Sequence, residues 1–260
     1  MNKIRPKKWL GQHFLKDELL AQQIVEALTI HQDYKVVVEV GPGMGELTKY
    51  LLLNERFKTI LVEIDEQAKI YLHRHYKLAE NQLIVDDFLK LDLTKFGTSF
   101  ALIGNFPFNI SSQIFFKILD HKDIIPEVVC MVQKEVAERI ASGHGSKKYG
   151  ILSVLLQAFY SIEILIEVPP QVFHPQPKVS SAVLRLQRNQ KHSLECDEKL
   201  FRRVIKQAFQ NRRKTLRNAL KALNLPQNFQ REKLFDLRPE QLSVDDFIDL
   251  TRKIEKWWIK

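Results

Sequence analysis

The chain has 260 residues, 45% of them hydrophobic, which is enough for one sizeable domain plus a small appendage and excludes wholesale disorder. Its formal charge of +9 is unevenly spread: residues 190–260 carry 17 Lys/Arg against 10 Asp/Glu, whereas the first 189 residues carry 23 against 21, a near-neutral body with a basic end that points to a polyanionic partner. Two distant cysteines (Cys130 and Cys196), histidines without ligand spacing, no apolar run near the ~18 residues of a membrane span and no apolar signal core after the basic Met1–Trp9 argue against a metal site, a disulfide framework and a membrane protein, and for a reducing, cytoplasmic setting.

After Asp17 the residues Leu20, Ile24, Val25 and Leu28 recur at helical spacing. Val36–Val40 is a short apolar run ended by Gly41-Pro42-Gly43, which reads as a buried strand entering a tight turn. Glu46 to Leu53 is expected to be helical, Thr59 to Ile64 a second strand and Glu66 to Tyr76 another helix. Gln82 to Val85, Phe100 to Gly104 and Glu127 to Gln133 continue the series as strands with helices between them. Such alternation predicts a doubly wound α/β fold with a mostly parallel sheet. Ile162 to Val168 and Ser181 to Arg188 read as two strands joined by the Pro-rich Pro169 to Pro177, expected to form an antiparallel pair at the sheet edge. Beyond about residue 190 the chain looks all-helical: Phe201, Val204, Ile205, Ala208 and Phe209 mark one apolar face, and Ser243 with Asp246 resembles a capping box. A single domain boundary near residue 190 follows, giving residues 1–189 and 190–260.

Four features of the first domain carry chemistry. Glu39-Val40-Gly41-Pro42-Gly43-Met44-Gly45-Glu46 places glycines where a backbone must approach a ligand closely. Glu46 stands where a dinucleotide fingerprint wants its third glycine and is a poor neighbour for pyrophosphate, so a nucleoside cofactor without phosphates fits better. Glu63, about 20 residues on, can accept both ribose hydroxyls, with Asp65 as the rival for that role. Asp87 can accept the cofactor's adenine amine, with Asp86 as competitor. The fourth feature is Asn105-Phe106-Pro107-Phe108, directly after a strand. An exocyclic aromatic amine is a weak nucleophile because its lone pair is delocalised into the ring. The Asn105 carboxamide oxygen and the Phe106 carbonyl can hold its two N–H protons, which favours a tetrahedral nitrogen aimed at a sulfonium methyl. Pro107 biases Phe106 toward an extended backbone, and Phe108 can stack on a flipped-out base.

With these residues in view, the chain resembles the ribosomal RNA adenine dimethylases of the KsgA type over almost its whole length. The resemblance takes in Gly11-Gln12-His13-Phe14-Leu15 as a cofactor-covering segment, Glu39–Gly45, Glu63, Asp87 and Asn105–Phe108. It extends to Gln133–Ala137, Tyr149-Gly150, Phe173–Ser180 and Asn211–Asn218. It implies S-adenosylmethionine held by His13, Leu15, Gly41, Gly43, Glu63, Asp87 and Asn105, and a target adenine sandwiched between Phe108 and Phe173. Phe108 stands where the family motif has Tyr, which keeps the stacking face and drops a hydroxyl. The implied reaction is dimethylation of two adjacent adenosines in a hairpin near the 3′ end of small-subunit ribosomal RNA. The implied partner is that RNA in a pre-assembled subunit, met by a monomer.

From Lys199 to Arg231 no residue is acidic and ten are Lys or Arg. That single-sign run is what phosphate neutralisation needs, and Arg212, Arg213, Lys214 and Arg217 are the expected RNA contacts. Two other readings remain at this level: a nicotinamide-dependent dehydrogenase built on the strand–glycine–helix pattern, and a non-enzymatic RNA assembly factor on a methyltransferase scaffold.

Overall fold

The computed structural model describes residues 6–191, 193–226 and 231–258, with the side chain of Lys8 also outside the description. Met1–Arg5, at the start of the basic N-terminus, and residues 227–230 of the acid-free run therefore lie outside the described residues. The chain divides into two compact units, Met1–Ala137 with Ser161–Arg188, and Glu138–Tyr160 with Asn189–Lys260. A single cut near residue 190 leaves Glu138–Tyr160 in the first unit; the contacts put it in the second.

The first unit is built on β2 (Val36–Val40), β3 (Lys58–Glu63), β4 (Leu83–Val85), β5 (Ala101–Asn105), β6 (Glu127–Gln133), β7 (Tyr160–Val168) and β9 (Ser181–Arg188). Their spatial order is β4-β3-β2-β5-β6-β9-β7. β2 pairs in parallel with β3 and β5, β3 with β4, and β5 with β6, whereas β9 runs antiparallel to β6. The expected C-terminal strand pair is thus adjacent in the sheet, with β7 outermost and β9 inside it. The inner strands are apolar on both faces because both are covered. Val37, Ala101, Ile103, Val129 and Met131 pack with Leu20, Ile24 and Val25 of α1 (Glu18–Glu26) and Leu51 of α2 (Thr48–Leu51). Val38, Leu102 and Cys130, which alternate to the other face, are equally buried.

Local signals set the helix starts. Asp17 caps α1 by accepting from Leu20 N at 3.0 Å, and Asp65 caps α3 (Glu66–His75) by accepting from Gln67 N at 2.9 Å. α2 is shorter than expected. Gly41, Gly43 and Gly45 all take positive φ, at 70°, 59° and 85°, so the chain stays in turn conformation until Thr48. A further small sheet, unforeseen in the sequence, joins β1 (Phe14–Leu15) to β8 (Phe173–His174) of the Pro-rich connection.

The division between the units falls within α5 (Lys134–Ala141), which follows β6 directly. In the second unit α6 (Ile151–Gln157) buries Leu152, Ser153, Val154, Leu155 and Leu156, and α7 (Glu198–Gln210) buries Leu200, Phe201, Val204, Ile205 and Ala208. An element so apolar all round needs partners on every side, which is why α6 associates with the C-terminal helices. Phe209 bridges Tyr149 and Phe247, with ring centroids 6.1 and 5.9 Å away. The last helix, α9 (Val244–Trp258), opens on the expected reciprocal cap: Asp246 N donates to Ser243 Oγ at 3.1 Å and Ser243 N to Asp246 Oδ2 at 2.9 Å.

The strand order reverses between β2 and β5, and a crevice forms at their C-terminal ends, where open α/β sheets bind ligands. Gly104 sits beside it: a Cβ there would lie 2.5 Å from Val40 O, a backbone atom that cannot swing away. Gly104→Ala should therefore lower stability by about 1–3 kcal/mol through overpacking, read as a reduced urea midpoint at unchanged slope. An unchanged midpoint would mean that the two strand ends can part without cost.

Candidate active site

The crevice is a cavity of about 300 Å³ whose walls come from the ends of β2, β3, β4 and β5 and from residues 9–15. It takes in His13, Leu15, Gly41, Gly43, Glu63, Asp87 and Asn105–Phe108, so every residue expected for cofactor binding stands on one wall or another.

The glycine turn is held from β3. Glu63 Oε2 accepts from Gly43 N at 3.0 Å, while Oε1 accepts from Ile64 N at 2.9 Å and Asp65 N at 2.8 Å. Burial pushes the Glu63 carboxyl up, and these three N–H donors work against that shift. Gly43 admits no side chain, since a Cβ would meet the Phe14 ring at 2.9 Å. Asp65, the rival for the ribose, is committed elsewhere and does not line the cavity. Besides capping α3 it accepts from Lys7 Nζ at 2.7 Å and Gln12 Nε2 at 3.1 Å, which anchors the N-terminal segment. Those donors draw its carboxyl below the usual range in spite of burial.

Two further carboxyls face the turn. Burial pushes Glu39 up to about 8, although Thr48 Oγ1 donates to it at 2.6 Å, and the neighbouring Glu46 and Glu63 charges add to the rise. Burial likewise pushes Glu46 up to about 7, against backbone hydrogen bonds within the turn and the Lys49 charge. A ligand carrying positive charge stabilises the ionised forms of these carboxyls, whereas a pyrophosphate beside them keeps them protonated and gains no favourable partner. The nicotinamide reading is disfavoured on that ground. Glu39 is a participant that sequence reasoning treated only as the start of the glycine motif; its single visible signal was an acid inside an otherwise apolar strand.

Asp86 and Asp87 both reach the cavity. Asp87 Oδ1 accepts from Leu89 N at 2.9 Å, and Asp86 Oδ1 accepts from Asp87 N at 2.7 Å, so the pair shapes the turn as well as facing the ligand. Lys117, on α4 (Ser111–Asp120), braces the same turn: its Nζ donates to Leu89 O at 2.9 Å and Leu91 O at 2.6 Å and lies 5.9 Å from the Phe88 ring. Nothing in the sequence ties a helix lysine to a loop 28 residues earlier.

Asn105 lines the cavity and donates from Nδ2 to His13 O at 2.8 Å, which commits the amide nitrogen and leaves Oδ1 as the side chain's acceptor. Phe106 N donates to Met131 O at 3.0 Å, and its buried ring meets Phe115 edge-on at 6.0 Å, fixing the strand end. Phe108 lies 5.3 Å from the His13 ring, and His13 Nδ1 donates to Pro175 O at 2.7 Å. Asn109, unmarked in the sequence, donates to Trp9 O at 3.2 Å and seats the N-terminal segment against the Asn105–Phe108 turn.

Phe173, expected to sandwich the target adenine opposite Phe108, is 1% exposed, packs in the core beside Leu15 and is not among the residues that line the cavity. The cause is strand alternation: in β8 the Phe173 side chain turns inward and His174 outward. The exposed aromatic that the cavity wall does offer is Trp9.

The four expected RNA contacts lie in the second unit, past the end of α7 rather than on it. Arg212 Nη2 donates to Ser146 O at 3.4 Å and to Lys147 O, which pins that guanidinium to the protein. Arg217, near the start of α8 (Leu216–Ala219), pairs with Asp236. Arg213 and Lys214 are exposed.

The model of the family described as ribosomal RNA adenine dimethylase matches residues 2–258. The chain is 54% identical over 255 residues to a ribosomal RNA small subunit methyltransferase A of Cytophaga hutchinsonii, covering 98% of this chain and 99% of that one. It is 47% identical over 261 residues to the protein so named in Porphyromonas gingivalis, at 98% and 100% coverage. Among solved structures it is similar to a dimethyladenosine transferase from Plasmodium falciparum, with TM-score 0.78 and 25% identity over 94% of this chain and 98% of that one. The 23S rRNA methyltransferase ErmE shares the fold, with TM-score 0.66 and 22% identity over 92% and 99%.

Two outcomes follow from this geometry. The folded protein retains protons on Glu39 and Glu46 that an unfolded chain loses above about pH 4.5, so their stabilising contribution is full below that pH and is lost as pH rises through 7 to 8. Glu46→Gln cannot ionise, so in the ligand-free protein it should gain roughly 1–3 kcal/mol over the parent between pH 5 and pH 8.5. Denaturant unfolding at both pH values measures this, and a pH-independent difference would mean that Glu46 ionises normally. Lys117→Met should weaken cofactor affinity roughly tenfold by freeing the 86–91 turn, while kcat at saturation changes little. Calorimetry with S-adenosylmethionine checks it; unchanged affinity would show that the turn holds its shape unaided.

Proposed function

The chain belongs to the ribosomal RNA adenine dimethylase family, and on that premise we propose that it transfers methyl groups from S-adenosylmethionine to the N6 amines of two adjacent adenosines in a hairpin near the 3′ end of small-subunit (16S) ribosomal RNA. The product is N6,N6-dimethyladenosine, made in the cytoplasm on a pre-assembled small subunit by a monomeric enzyme. Among the described residues no helix is long and apolar enough to cross a membrane.

The observation that carries this reading is the orientation of Asn105. With Nδ2 committed to His13 O, its oxygen is the atom presented to an incoming amine. The adenine N6 protons are held by Asn105 Oδ1 and the Phe106 carbonyl, the base stacks on Phe108, and the nitrogen lone pair attacks the sulfonium methyl in line. Nitrogen gains the methyl, sulfur leaves as a neutral thioether, and the methylated amine then sheds its proton to water. Glu63 holds the ribose hydroxyls, Asp87 the cofactor's adenine amine, and Leu15 and His13 cover the site. The carboxyls around the glycine turn favour the cationic cofactor over the neutral product, which assists release after each of the two transfers. The first unit is the catalytic one and the second carries RNA contacts, with Arg213 and Lys214 the accessible members of the basic motif and Arg212 and Arg217 chiefly bracing it.

The test is transfer of labelled methyl to small subunits lacking the modification, followed by nucleoside analysis; dimethyladenosine at two neighbouring positions is expected, and absence of transfer overturns the reading. Asn105→Ala should cost on the order of a hundredfold or more in single-turnover rate while retaining much of the cofactor affinity. A near-normal rate would remove Asn105 from the reaction.

A further inference from the structure

The second unit carries another cationic surface, separate in sequence from the Arg212–Arg217 motif. Lys199, Arg202, Arg203 and Lys206 stand at positions i, i+3, i+4 and i+7 of α7, so one face of the helix gathers four positive charges within about 10 Å of axis. They line a shallow groove of about 510 Å³ together with Gln207, Gln210 and, from α6, Ile151. Lys199, Arg203 and Lys206 are exposed, and the Arg203 guanidinium is held over the Trp258 ring at 5.2 Å. The acids of this helix, Asp197 as its cap and Glu198, sit at its beginning, and none follows before residue 232.

From this arrangement we infer that the α7 groove is a second RNA-backbone contact, built to neutralise successive phosphates and distinct from the Arg212–Arg217 turn. The inference rests on the proposed action on ribosomal RNA. Regularly spaced cations with two glutamine amides suit phosphate and sugar hydroxyls, which fix register without reading sequence. A lipid surface fits less well. A membrane-binding helix lays its apolar face into the bilayer, whereas Leu200, Phe201, Val204, Ile205 and Ala208 of α7 are already buried in the protein.

The experiment measures affinity against salt for a hairpin RNA bearing two adjacent adenosines in its loop. It compares the parent, the quadruple variant Lys199→Gln, Arg202→Gln, Arg203→Gln and Lys206→Gln, and the double variant Arg213→Gln and Lys214→Gln. Each lost phosphate contact should lower the slope of log affinity against log salt by about 0.7–0.9, so the quadruple variant should lose roughly three and bind at least tenfold more weakly near 0.1 M salt. Its S-adenosylmethionine affinity should match the parent's, and its melting temperature, lowered by loss of the Arg203–Trp258 contact, should stay well above the assay temperature. If the quadruple variant does not fold, Lys199→Glu with Lys206→Glu replaces two exposed side chains and should still lower the slope by about 1.5 or more. A folded α7 variant with the parental slope overturns the inference while leaving the functional reading intact, provided that the Arg213 and Lys214 variant still loses slope. A parent that binds the hairpin without any salt dependence overturns both. Anionic vesicles that bind the parent but not the α7 variant, with RNA slopes equal, would give the groove to lipid and overturn the inference as well.

Discussion

A single buried carboxylate at the end of β3 organises the cavity. Glu63 accepts from the N–H groups of Gly43, Ile64 and Asp65, so one side chain ties the glycine turn after β2 to the end of the neighbouring strand. In this turn Gly41 N and Gly45 N donate to the backbone carbonyls of Val62 and Pro42 at 2.9 and 2.8 Å, whereas Gly43 N relies on Glu63, and an unpaired buried N–H costs about 1–3 kcal/mol. The carboxylate thus fixes the turn's shape before any ligand arrives, and the cavity's dimensions follow from it. Gly104 completes the constraint from the other side by letting Val40 O approach the start of the Asn105 turn.

The same cluster sets the electrostatics. Glu39, Glu46 and Glu63 are all raised, chiefly by burial, and the first two retain protons near neutrality in the absence of ligand. A bound sulfonium and ammonium would stabilise their ionised forms, so cofactor binding and proton release are coupled. The thioether product lacks the sulfonium charge and loses part of that attraction. An enzyme that must exchange spent cofactor between two transfers on one adenine gains from this difference, because binding that survives the loss of charge would slow turnover.

The remaining walls depend on residues far apart in the chain. His13 O orients Asn105, Trp9 O meets Asn109, and Lys7 and Gln12 anchor the intervening segment on Asp65. Lys117 fixes the turn that carries Asp87. These are polar contacts to backbone carbonyls or shared carboxylates, which position groups within tenths of an ångström but leave no pattern in a linear sequence.

What the sequence by itself determined was local. The strands at 36–40, 58–63, 101–105 and 127–133 were legible from apolar runs because both faces of each are buried, and the glycine turn and Asn105–Phe108 were legible because each lies within a few residues of a strand end. The capping of α9 was legible for the same reason, from Ser243 and Asp246 three residues apart. The tertiary structure alone decided the rest. It committed Asp65 to the N-terminal segment and left Glu63 at the cavity, a choice between two acids two residues apart that no periodicity separates. Pairing of β1 with β8, across about 160 residues, turned Phe173 into the core and His174 outward, since one step of a strand reverses a side chain's face. Residues 138–160 joined the second unit because α6 is buried along nearly its whole surface, and burial on that scale depends on which helices arrive around it. Charge followed the same division: the sequence located the basic run, and only the end of α7 at Gln210 separated a helical cationic face from the turn that carries Arg213 and Lys214.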